Sequence, residues 1–120
     1  MSELPIRVAE ACTLPTAERP TRSAEWGSLF REVLATESLG AQRGRLVFHE
    51  DAALETRVRD LASKETSCCS FFTFEFGAGV DAAGAGTMTL DVRVPPSQSA
   101  VLEAFIAWAE GVRTGRLQVA

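Results

Sequence analysis

FTFEFGAGVDAAGAGTMTLDVRV, residues 72–94, is the stretch that decides the fold. Both of its ends alternate apolar and polar side chains, a pattern typical of strands with one buried face. The apolar positions are Phe72, Phe74, Phe76, Met88, Leu90, Val92 and Val94. Glycine and alanine dominate residues 77–86 between the two ends, which indicates a loop. The stretch therefore predicts an antiparallel hairpin with one face in the core.

Three helices and one further strand are predicted around this hairpin. Apolar side chains three and four residues apart predict the helices. The first helix is expected between an N-cap at Ser23 and a stop at Gly40, and the last one begins at Pro96 or Ser97. The second helix follows a cap at Asp51, directly after a short strand at residues 45–49. Its buried stripe contains Leu54, Val58, Leu61 and Ala62 and continues through Glu65 to Cys68 and Cys69.

The predicted element order is α-β-α-β-β-α. It predicts an α+β fold, a two-layer sandwich in which three helices cover a three-stranded mixed sheet. A right-handed crossover makes the first two strands parallel, and the third strand, antiparallel to the second, is expected in the middle. Residues 1–22 contain three of the five prolines and are predicted to be an extended arm. Residues 23–114 form the single domain, and residues 115–120 a frayed tail.

Length and charge limit the classes of function. A chain of 120 residues is large enough for one core. A formal net charge of −4 and a pI near 5.0 argue against nucleic acid or an anionic membrane as the main partner. No run of about 18 apolar residues is present to span a bilayer. An acidic start without an apolar segment and an odd number of cysteines predict a cytoplasmic protein with free thiols.

The three cysteines are the candidate metal ligands. Adjacent cysteines rarely form a disulfide with each other, because the small ring is strained. Cys68 and Cys69 lie at a helix-to-strand junction, where a change in backbone direction brings both sulfurs together, and Cys12 on the arm supplies a third ligand. Three thiolates suit soft centres such as Hg(II), As(III) or Cu(I). Since the metal deprotonates each thiol itself, the prediction is thiolate capture of a soft metal(loid), with no cofactor required.

Other interpretations of the same residues stay open. Free cysteine packs like a small apolar side chain, so the pair is also compatible with an interaction domain, including a homodimer formed through a sheet edge or a helix face. A disulfide from Cys12 to Cys68 or Cys69 would make a redox sensor. Glu65 on a buried stripe needs a partner, near Lys64 or at an arginine such as Arg57, unless it is exposed at the edge of the stripe.

Residues 12–20 (CTLPTAERP) and 65–74 (ETSCCSFFTF) resemble a group of small, largely uncharacterised proteins of high-GC bacteria. The chain is also faintly similar to the catalytic domain of organomercurial lyase, which has a Cys-x-Leu-Asp-Thr segment and, downstream, a Cys-Cys pair before an aromatic strand. By that resemblance Cys12 and Cys68 would bind mercury, and Cys69 need not act. Pro15 stands where that family has its proton-handling aspartate, so cleavage of a carbon–mercury bond would require Glu65 as the catalytic proton donor.

Overall fold

A computed structural model of the chain describes residues 19–68 and 71–116. Its helices are α1 (Arg19–Phe30), α2 (Ala52–Cys68) and α3 (Ser99–Arg113), and its strands are β1 (Val33–Ser38), β2 (Arg43–His49), β3 (Thr73–Val80) and β4 (Gly86–Arg93). The predicted α+β class with three helices is confirmed. None of the described helices is long and apolar enough to cross a membrane.

The sheet has four strands in the order β1-β2-β4-β3, and every neighbouring pair is antiparallel. The predicted three-stranded mixed sheet and the order α-β-α-β-β-α are therefore wrong, because β1 was missed and the elements run α-β-β-α-β-β-α. The last strand does lie between the two others that were predicted, as expected. β2 and β3 run in the same direction, but β4 separates them and pairs with both.

The missed strand lies inside the segment that was predicted to be the first helix. Val33 continues the helical spacing of the apolar residues in α1, but its backbone pairs with Phe48 of β2. The helix already begins at Arg19 and ends at Phe30, so Ser23 is an interior residue and not an N-cap. Gly40 has a φ of 131° in the turn between β1 and β2. Its role is to permit this hairpin turn rather than to stop a helix.

The remaining elements agree more closely with the sequence patterns. The side chain of Asp51 caps α2, since its Oδ1 accepts a hydrogen bond of 2.8 Å from the backbone N–H of Leu54. The last helix starts as a short 3-10 turn, Pro96–Gln98, and continues as α3. The predicted loop at residues 77–86 is shorter than expected, because β3 extends to Val80 and β4 begins at Gly86.

One aromatic cluster forms the centre of the core between the helices and the sheet. Its members are Trp26, Phe30, Phe72, Phe74, Phe105 and Trp108. Phe105 of α3 meets Trp26 edge-on, with ring centroids 5.1 Å apart, and Phe30 at 5.3 Å. Such edge-to-face pairs add to the stabilisation from area burial. The cluster thus joins α1, α3 and the β3 side of the sheet.

A hydrogen bond from β1 fastens α3 to the sheet beside an ion pair within α3, and we expect this attachment to weaken in acid. Glu110 Oε2 lies 2.7 Å from Arg113 Nη2, and Oε1 accepts a 2.8 Å hydrogen bond from Thr36 Oγ1. Arg113 first, and Thr36 second, lower the pKa of Glu110 from 4.5 to about 2. A carboxyl with a lowered folded-state pKa stabilises the fold above its ordinary pKa, and that contribution is lost as the pH falls through the lowered value.

Glu110→Gln should therefore lower the free energy of unfolding by about 1 kcal/mol at neutral pH. The difference from wild type should shrink as the pH falls from 4.5 towards 2, as measured by urea unfolding at each pH. Glu103→Gln changes an exposed residue of the same helix and is the matched control. A difference that stays constant across this pH range would contradict the assignment.

Candidate functional site

Glu65 is a buried carboxylate at the end of α2 nearest the cysteine pair. Its exposed fraction is 8 %, and its Oε1 accepts two hydrogen bonds from α1, one of 2.8 Å from Trp26 Nε1 and one of 3.2 Å from Arg22 Nη1. The predicted burial is confirmed. The partner is an arginine, as suggested, but it is Arg22 and not the example given, Arg57. Lys64 instead lies 3.2 Å from Asp60 and 3.7 Å from Glu25.

Trp26 links this carboxylate to the aromatic core. Its ring stacks on Phe74 at a centroid distance of 6.0 Å, while its N–H points at Glu65. A buried indole N–H requires an acceptor, and the carboxylate of Glu65 supplies it. The sequence pattern identified Trp26 as a core residue but not as a hydrogen-bond donor. No spacing rule reveals that role, since it depends on how α1 packs against α2.

The contacts between α1 and α2 show that these helices run antiparallel. Arg22, near the start of α1, contacts Glu65, near the end of α2, and Glu25 one turn later contacts Lys64. Arg19 and Cys68 therefore lie at the same end of the helix pair. Cys12 precedes Arg19 by seven residues, which a chain can extend over at most about 25 Å. The chain is long enough for Cys12 to reach the end of α2.

The predicted thiols themselves lie at the border of what the structure describes. Cys12 and Cys69 are outside the described residues, and Cys68 is the last residue of α2, with a side chain that is also not described. Within residues 19–67 and 71–116, no group of three or more His, Cys, Asp or Glu side chains could hold a metal ion. The three-cysteine site thus stays a prediction, and Glu65 is the one candidate residue whose surroundings are known.

A second buried carboxylate, Asp91 of β4, was not singled out from the sequence. Its exposed fraction is 7 %, although it lies on the sheet face opposite the helices. Arg45 holds it with two hydrogen bonds, Nε to Oδ1 at 2.6 Å and Nη2 to Oδ2 at 3.0 Å, and Arg43 Nη2 donates to Oδ2 as well. Hydrogen bonds from Arg45 lower the pKa of Asp91; burial opposes this effect, and Arg43 adds to it. The alternation of β4 shows that Asp91 faces away from the core, but not that two arginines cover it.

Comparison with protein-family models, with curated proteins and with solved structures gives no match to this chain. The resemblance to organomercurial lyase and to the high-GC bacterial proteins is therefore an expectation from the two cysteine-containing segments alone.

Proposed function

We propose that this protein captures a soft metal(loid) ion, or a small organometal, as a thiolate complex of Cys12, Cys68 and Cys69 in the cytoplasm. The observation that carries the proposal is the contact between Arg22 and Glu65. It holds the start of α1 beside the end of α2. This supports the proposal, because the seven positions from Cys12 to Arg19 are enough for Cys12 to approach the end of α2.

The two helix ends near the proposed site carry opposite partial charges, so we expect no unusually acidic free thiol there. The C-terminal end of α2 carries a partial negative charge, which disfavours a thiolate, whereas the N-terminal end of α1 beside it carries a partial positive charge. These contributions oppose each other. The bound metal itself then provides the main force that deprotonates the thiols.

We expect each of two serine substitutions to weaken metal binding. In titrations of the reduced protein with Hg(II) and with arsenite, Cys12→Ser and Cys68→Ser should each raise the apparent Kd at least about tenfold, because a hydroxyl replaces a soft thiolate ligand. Ser67→Ala, an exposed position next to the pair, is the matched control and should bind like wild type. Cys69→Ser distinguishes a three-thiolate site from one formed by Cys12 and Cys68. If neither Cys12→Ser nor Cys68→Ser changes the Kd, the proposal is wrong.

A lyase that uses Glu65 to protonate a mercury-bound carbon is the alternative. The surroundings of Glu65 favour binding over cleavage, since its Oε1 already accepts hydrogen bonds from Trp26 and Arg22 and acts as a structural acceptor. Incubation of an organomercurial with the reduced protein and excess free thiol should release no hydrocarbon. Release that Glu65→Gln abolishes would support the lyase instead. An interaction domain whose cysteines only pack in the core would leave Hg(II) affinity independent of at least one of the two thiols. A redox sensor would instead form a disulfide from Cys12 to Cys68 or Cys69 when the protein is oxidised.

A further inference from the structure

The sheet face opposite the helices has a charged half and a half made of small side chains. The strand register places Glu37, Arg45, Asp91 and Glu75 in one row across all four strands. The next rows contain Ala35, Val47, Thr89 and Gly77, and then His49, Thr87 and Gly79. Apart from His49, which is exposed and does not line the trough, these rows carry only small side chains and form the floor of a half-open trough of about 760 Å³. This volume is within the range of small-molecule sites.

Thr87 gives the trough a polar group without a partner. Its exposed fraction is 5 %, and its hydroxyl makes no hydrogen bond within the part of the chain that the structure describes. The hydroxyl lies above Gly79, where a Cβ would come within 3.3 Å of Oγ1, and Gly77 stands in the same relation to Thr89, at 2.7 Å. Any side chain at these two glycines would press against or cover the hydroxyls. The residue as a whole is nearly buried, but its hydroxyl is open to the trough, where it can form a hydrogen bond with a ligand.

The charges around the trough indicate the sign of that ligand. Its lining contains four carboxylates, of Glu37, Glu75, Asp81 and Asp91, and one guanidinium, of Arg45. Asp91 is already paired with arginines, and Glu75 lies 3.2 Å from Arg93. Asp81 Oδ1 accepts hydrogen bonds from the backbone of Ala83 and Ala85, but Asp81 forms no ion pair among the described residues. An anion is therefore disfavoured, and a cation beside Asp81 is favoured.

We propose that this trough binds a small organic cation, a protonated amine on a flat apolar body. The flat body lies against Val47 and the exposed backbone at Gly77 and Gly79, where no side chain intervenes. The ammonium group lies near Asp81, and the hydroxyl of Thr87 forms a hydrogen bond with the ligand. The site is on the opposite face of the sheet from α2, so it is independent of the proposed cysteine site.

Three probes of nearly equal size and different charge test the proposal by NMR titration of the ¹⁵N-labelled protein. Phenethylamine should give saturable shifts centred on the amides of Gly77, Gly79, Thr87 and Thr89, with a millimolar Kd. The neutral 2-phenylethanol and the anionic phenylacetate should bind at least about threefold more weakly. Equal affinity for amine and acid, or shifts spread over other surfaces, would overturn the proposal.

Variants of the trough separate the role of the hydroxyl from general effects on the sheet. Thr87→Val keeps the shape and removes the hydroxyl, so the Kd for phenethylamine should rise at least about threefold. Thr73→Val makes the same change on β3 outside the trough and should leave the Kd unchanged. If Thr87→Val does not fold, Gly79→Ala, whose Cβ approaches the hydroxyl, should weaken binding instead. Wild-type affinity in the folded variant overturns the proposal.

Discussion

Replacement of Glu65 by alanine is expected to lower the free energy of unfolding by about 3 kcal/mol, because it removes the buried carboxylate partner of Arg22. Arg22 keeps its contact with Glu25, 3.6 Å away, but the carboxylate of Glu25 is more exposed than that of Glu65. Both members of the pair are largely buried: counting the side chain alone rather than the whole residue, the exposed fractions are 11 % for Glu65 and 13 % for Arg22. The same substitution also removes the acceptor of the buried Trp26 N–H, and an unsatisfied buried donor is itself destabilising. Urea unfolding with a fixed m-value measures the change.

Three further variants make this prediction specific. Glu65→Gln keeps an acceptor for Trp26 and loses only the charge opposite Arg22, so it should cost about 1–2 kcal/mol. Glu55→Ala removes an exposed carboxylate of the same helix, paired with Arg59 at 2.8 Å, and should change the free energy of unfolding by less than about 0.5 kcal/mol. In the double variant, Trp26→Phe removes the indole N–H that Glu65→Ala leaves without an acceptor. Trp26→Phe should therefore destabilise the Glu65→Ala protein less than it destabilises the wild type. A Glu65→Ala cost as small as that of Glu55→Ala would show that this contact does not hold α1 to α2.

Asp91→Ala is the second large effect, with an expected loss of about 2 kcal/mol. Its carboxylate is nearly buried, and its removal leaves Arg43 and Arg45 next to each other without the charge that separates them. These arginines keep exposed fractions of 39 % and 32 %, so water compensates part of the loss, and the expected effect is smaller than at Glu65. Glu75→Ala is the matched control, because Glu75 and Arg93 are half exposed on the same face. It should change the stability by less than about 0.5 kcal/mol.

The pH dependence of the Asp91 effect follows from the direction of its pKa shift. The pKa of Asp91 in the folded protein is lower than its ordinary value of 3.8, chiefly because of the hydrogen bonds from Arg45. The stabilisation is therefore complete above the ordinary value and is lost as the pH falls through the lowered one. The difference between wild type and Asp91→Ala should be constant near neutral pH and decrease below pH 3.8. A difference that grows in acid would contradict this role.

The sequence was sufficient for the features that depend on local patterns. Alternation along residues 72–94 predicted β3 and β4, and the stripe in α2 predicted that Glu65 would be buried. The same type of pattern gave a wrong prediction at Val33. Its spacing continues that of the apolar residues in α1, but Val33 lies in a strand because its backbone pairs with Phe48. The spacing of apolar residues reports on one segment of the chain at a time. It gives no information on whether another segment is available to pair with it as a strand.

The contacts within the candidate site could not be predicted from the sequence either, because they join residues that are distant along the chain. Arg22 and Glu65 are 43 positions apart, and their contact exists only because α1 and α2 pack antiparallel. The uncovered hydroxyl of Thr87 likewise depends on the register that sets Gly79 opposite it. The cysteine site rests on the sequence alone, because Cys12 and Cys69 lie outside the described residues.

The position of β4 between β2 and β3 also affects how the chain folds. The second neighbour of β2, the strand β4, follows it in sequence after α2 and β3. Among the described residues, β4 is also the last strand and the single partner of β3. During synthesis the β1–β2 hairpin and β3 must therefore wait with unpaired edges until residues 86–93 have left the ribosome. Non-local pairing of this kind slows folding, and waiting strand edges are prone to aggregation. Insertion of one strand thus completes the sheet, and the rate of that step sets how long the nascent chain is exposed to misassembly.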